Sequence, residues 1–102
     1  MKYFIGNWKM FGVPESIGIL NKINSYYSKD KNRNKYRVII TPPYTLIDRF
    51  SKYFKNKRIL IGAQNCYHKE LFSSNTAAIS PYMLKSVGAK YALIGHSDNR
   101  EE

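Results

Sequence analysis

Cysteine occurs once, as Cys66. A lone thiol excludes an internal disulfide, and no Cys/His cluster has zinc-ligand spacing, so neither a disulfide scaffold nor a zinc module holds this chain together. Long apolar runs are also missing: none approaches the roughly 18 residues that a membrane span requires. The amino terminus passes from one lysine straight into strand-like sequence with no signal-peptide pattern. A soluble, cytoplasmic chain in a reducing compartment is the expectation. No loop carries a glycine-rich dinucleotide fingerprint, which disfavours a nucleotide-binding Rossmann unit. Acidic residues are few, 7 Asp+Glu against 17 Lys+Arg, leaving a formal net charge of +10.

That balance admits a nucleic-acid surface. The cations are nevertheless spread along the chain, densest between Lys29 and Arg37 in what reads as a polar connection after a helix. Net charge bears on association and not on fold. A solvated surface is the preferred reading, with no nucleic acid and no membrane among the expected partners, and a small phosphorylated substrate also suits a positive field. With 102 residues and 43% hydrophobic content the chain is at most one globular domain.

One grammar repeats along it. Tyr3 to Phe11 reads as a strand whose alternation puts Tyr3, Ile5, Asn7 and Lys9 on one face, ending in an amide and an ammonium. Pro14 and Glu15 suit a helix start, and Ile17, Leu20, Ile23 and Tyr27 then fall at helical spacing. Val38–Thr41 is a continuous apolar strand stopped by Pro42 and Pro43. A second helix from Tyr44 to Phe54 carries Leu46, Ile47, Phe50, Tyr53 and Phe54 on one stripe. Ile59–Ala63 is a third strand, and residues 64–78 form a polar segment long enough to mark a functional or interface loop. Ser80 and Pro81 open a third helix, with Met83, Leu84 and Val87 inward and Gly88 as its stop. Tyr91–Gly95 is a fourth strand ending in His96 and Ser97. Three successive crossover units imply parallel strands. Doubly wound sheet and partial barrel both fit this pattern. Polar residues cluster at strand ends: Asn7 and Lys9, Gln64 and Asn65, His96 and Ser97.

Gly6-Asn7-Trp8-Lys9-Met10, Gly62-Ala63-Gln64-Asn65-Cys66 and Ile94-Gly95-His96-Ser97 resemble triosephosphate isomerase in order and spacing. Pro42-Pro43 and the run from Ile79 to Lys85 are similar to that family as well. The resemblance covers essentially the whole chain. It implies an α/β fold, a TIM (β/α)8 barrel of about 250 residues. Residues 1–102 then supply the first four strands and three helices, the amino-terminal half of a single domain. It also implies isomerisation of dihydroxyacetone phosphate and D-glyceraldehyde 3-phosphate through an enediolate, in glycolysis and gluconeogenesis, with no cofactor and no metal. His96 matches the family's electrophilic histidine. Triosephosphate isomerase is itself the type example of that device, in which a helix amino terminus keeps the imidazole neutral. Lys9 matches the catalytic, substrate-holding lysine and Asn7 the substrate-contacting amide, while Trp8 reads as packing under the helix layer.

Ser97 and Asp98 are expected to support the site, with Asp98 a methylene shorter than the family's glutamate. Residues 73–78 replace a glycine-flanked Phe-Thr-Gly-Glu run with one residue more. There Thr76 matches the threonine that braces the partner's site, so a homodimer through residues 64–78 is expected. The family's glutamate base, lid and phosphate-gripping loops match nothing in this chain, which reads as an amino-terminal fragment, inactive alone. The alternative from another class is a basic half-barrel that binds without catalysing.

Overall fold

The computed structural model describes residues 1–66, 68, 71–74 and 76–93. Strands β1 (Lys2–Asn7), β2 (Tyr36–Thr41), β3 (Leu60–Ala63) and β4 (Tyr91–Ala92) alternate with helices α1 (Ile17–Lys29), α2 (Tyr44–Tyr53) and α3 (Pro81–Ser86). The strands pair in sequence order, all parallel, as β1-β2-β3-β4. Each connection therefore returns the chain to the same end of the sheet, and every strand carboxyl end faces one way.

The core lies between the sheet and its helices. Leu20 of α1 and Leu46, Ile47 and Phe50 of α2 are fully buried against Ile40, Ile59, Ile61 and Ala63. Burying each such large side chain stabilises by about 1.5–3 kcal/mol. The opposite, concave face carries Ile39 and Thr41, which flank Gly62. The sheet curls toward this face: Tyr3 of β1 and Tyr91 of β4 meet edge to face with ring centroids 6.2 Å apart, although two strands lie between them. The result is a half-barrel. Four strands do not close it. Among the described residues β1 and β4 each have one unpaired edge, and Tyr3, Phe4 and Ile5 are about half exposed.

Several sequence expectations need correction in detail. The second strand begins at Tyr36, two residues early, because Tyr36 and Arg37 pair with Lys2 and Tyr3. Tyr53 is 52% exposed instead of belonging to the buried stripe. It stands in the last turn of α2, where Phe54 takes the inward place and the Tyr53 hydroxyl accepts a hydrogen bond from Asn21 of α1 (3.2 Å). Met83 is 36% exposed, since a helix of six residues presents only Leu84 fully to the core. The caps of α3 are as expected: Ser80 Oγ accepts from the Met83 N–H (3.2 Å), and Gly88 holds the left-handed φ of 95° that ends the helix.

The connection from α1 to β2 is anchored by tyrosines. Tyr27 donates to the Tyr36 carbonyl (2.8 Å), and the Tyr36 hydroxyl donates to Asp30 Oδ2 (2.6 Å). That bond, with a second from the Asn32 N–H, holds the Asp30 carboxyl below its ordinary 3.8. The same bond pushes the Tyr36 phenol up from 10.0 to about 12. The stability Asp30 contributes is present above pH 3.8 and lost as acid titrates its folded form. That of Tyr36 is present below pH 10.0 and lost as pH rises through about 12. In Tyr36→Phe both limbs of a melting temperature against pH curve should flatten; an unchanged acid limb would show that the pair does not couple to folding.

The backbone of β4 passes close to Gly62 of β3. A Cβ there would lie 2.9 Å from the Tyr91 carbonyl oxygen and 3.3 Å from both Ile39 and Thr41. Because the obstacle is backbone, Gly62→Ala is expected to cost about 1–3 kcal/mol in urea denaturation.

Candidate active site at the strand ends

Strand β1 stops at Asn7 and does not run on to Phe11. The Asn7 side-chain oxygen accepts the Lys9 N–H at 2.8 Å, a two-residue turn of the kind asparagine favours. Lys9 then adopts φ 53°, left-handed backbone that a non-glycine residue occupies at a cost of order 1–3 kcal/mol. Strand alternation therefore does not set the direction of Lys9, contrary to expectation; the turn does. Trp8 behaves as its sequence suggested. Its ring packs edge-on to Phe50 at 5.7 Å, and its N–H continues the β1–β2 ladder to the Thr41 carbonyl (3.1 Å). Lys9 is left exposed.

What fixes this strained turn is Gln64, the residue after β3. Its amide nitrogen donates to the Lys9 carbonyl at 2.6 Å and to the Thr41 carbonyl at 3.0 Å. Lys9 is thus held at its N–H by Asn7 and at its carbonyl by Gln64. Its backbone is pinned beside the ends of three strands. Tyr44, opening α2, ties the next residue by donating to the Asn65 carbonyl (2.8 Å). Burial first, and then the electrostatic influence of the neighbouring Cys66, pushes the Tyr44 phenol up.

Asn7 and Lys9 are accordingly brought together. Thr76 is exposed in a turn beside Ala77, itself at φ 67°. Among the described residues no hydrogen bond joins its side chain to Lys9. His96, Ser97 and Asp98 lie outside the described residues. Gln64 was visible in the sequence only as a polar residue after a buried strand, and Tyr44 only as an aromatic after two prolines. The signal that singles out Gln64 is its position, since a long amide at a strand carboxyl end can reach the neighbouring strand's last carbonyl.

A lysine on a pinned backbone beside an amide, at the carboxyl end of a curled parallel sheet, is the arrangement of the (β/α)-barrel class, in whose enzymes such ends carry the chemistry. The chain is identified more narrowly by comparison. The family model described as triosephosphate isomerase matches residues 2–102, and the chain belongs to that family. A triosephosphate isomerase of Bartonella henselae is 40% identical over 98 residues, 96% of this chain and 38% of that protein. That of Wigglesworthia glossinidia brevipalpis is 41% identical over 97 residues, 94% and 36% respectively. The crystal structure of the Bartonella henselae enzyme superposes with a TM-score of 0.86 at 36% identity, covering 97% of this chain and 39% of that one. The chain spans a little over a third of the length of these relatives.

Removing the Gln64 amide should loosen the turn. Gln64→Ala is expected to lose about 1–3 kcal/mol of stability, since the Lys9 carbonyl loses its donor and the Thr41 carbonyl one of its two. It should also speed amide hydrogen exchange at Lys9 and Phe11 more than at the core strand residues.

Proposed function

We propose that this chain is the amino-terminal part of a triose-phosphate isomerase that interconverts dihydroxyacetone phosphate and D-glyceraldehyde 3-phosphate. The observation that carries the reading is the Lys9 turn, locked by Asn7 and Gln64 at the strand ends of a family member. Isomerisation passes through an enediolate, so a fixed cation near the substrate oxygen and phosphate stabilises charge as it develops. Lys9 supplies that cation from a backbone that is held before substrate arrives. Asn7 keeps the Lys9 N–H occupied while its side chain borders the substrate. His96 is assigned as the electrophile at the carbonyl, with Ser97 and Asp98 positioning it. No metal or cofactor is required by this scheme.

The family's glutamate base corresponds to no residue here, so residues 1–102 form the amino-terminal part of one catalytic domain that further strands complete. The same reading places a homodimer contact in residues 64–78, with Thr76 bracing the partner's site. It also places the enzyme in the cytoplasm, serving glycolysis and gluconeogenesis. Among the described residues no helix is long and apolar enough to cross a membrane.

In the full-length polypeptide encoded by the gene, Lys9→Met and His96→Gln should each lower kcat/KM for glyceraldehyde 3-phosphate by about 10²–10⁴. The 102-residue chain alone should give no turnover above buffer. Wild-type turnover in Lys9→Met would overturn the assignment of Lys9.

A further inference from the structure

We propose that the end of the sheet opposite the candidate active site is a binding surface for single-stranded nucleic acid. Scatter along the sequence argued against such a partner, but the parallel topology undoes the scatter. Every helix-to-strand connection returns to the strand amino ends. The first brings Lys31, Arg33 and Lys35 there, and the second Lys55, Lys57 and Arg58. Arg58 donates to the Asn34 side-chain oxygen at 2.9 Å, so the two connections form one continuous rim. Lys90, before β4, extends it.

The rim is only partly compensated. Asp30 is the one carboxylate within these two connections, and its charge acts on Lys31 and Arg33. Beside the rim, a cleft of about 300 Å³ between α2 and the starts of β3 and β4 is bordered by Lys52, Lys55, Lys57 and Lys90. Of these only Lys52 meets a carboxylate among the described residues, Asp48 at 3.0 Å. Four strands at about 4.8 Å spacing spread the cations over roughly 15 Å. That is a track for a chain of phosphates and wider than one phosphate needs.

Aromatics stand on the same end. Tyr26 and Tyr53 lie in the last turns of α1 and α2 and are 82% and 52% exposed. Exposed rings interleaved with lysines are how proteins hold unpaired bases while tracking a backbone. The surface lies roughly 20 Å from Lys9, the length of a six-residue strand, so a strand bound there leaves the strand carboxyl ends open.

The test uses the full-length polypeptide and a fluorescein-labelled 20-nucleotide single-stranded RNA, with anisotropy read from about 50 to 200 mM KCl. Wild type should bind, with affinity falling linearly in log salt. Lys35→Gln/Lys55→Gln/Lys57→Gln should bind at least tenfold more weakly, with the salt slope reduced by about 2. Tyr26→Ala/Tyr53→Ala should bind at least fivefold more weakly with the slope unchanged. Lys22→Gln/Arg49→Gln, away from the rim, should match wild type. Absence of binding at 50 mM KCl would overturn the proposal, as would wild-type affinity in the triple lysine variant. Lysine-dependent binding to anionic phospholipid vesicles with none to RNA would overturn it in favour of a membrane surface.

Discussion

One side-chain amide joins the carboxyl ends of three neighbouring strands. Gln64 leaves β3, crosses β2 at the Thr41 carbonyl and reaches the Lys9 carbonyl beyond the end of β1. Parallel strands present their last carbonyls side by side with no partner strand to continue the ladder, and such groups are costly if left unpaired. The Thr41 carbonyl accepts from both the Trp8 N–H and Gln64, using both lone pairs. The left-handed turn at Lys9 depends on this arrangement. An isolated lysine would leave that region of backbone space readily, and the hydrogen bonds at its two ends oppose the departure.

Below that tie the sheet and helices share work simply. Trp8 leans on Phe50, and Phe50 sits in the core built by α2 and β3. The core thus reaches within one residue of the ammonium. Rigidity at the site is borrowed from packing, while Lys9 itself stays exposed and hydrated. The other end of the sheet is built differently: tyrosine-to-carboxylate and arginine-to-asparagine bonds lock connections that have little apolar content.

Much of this is legible in the sequence. Strand and helix order followed from apolar period, and the Ser80-Pro81 start and Gly88 stop from cap chemistry, because those signals are local. Tyr53 was misread because a helical stripe says nothing about where the core ends along the helix axis. Lys9 was misread because alternation assumes the strand continues, whereas an asparagine side chain can end it by taking the N–H two residues on. The role of Gln64 spans 55 residues of sequence, and no local pattern carries that. The gathering of the lysines at one end is likewise a property of topology and not of any stretch of chain.

Strand order has a consequence for how such a chain comes off the ribosome. Each strand pairs with the one made just before it. No described strand has to wait for a later segment to find its neighbour. Short closure distances favour fast formation, and Tyr3 meeting Tyr91 means that curvature accumulates as strands are added. Synthesis in the amino-to-carboxyl direction would therefore deliver a growing, already bent template, onto which each later strand docks at a single open edge.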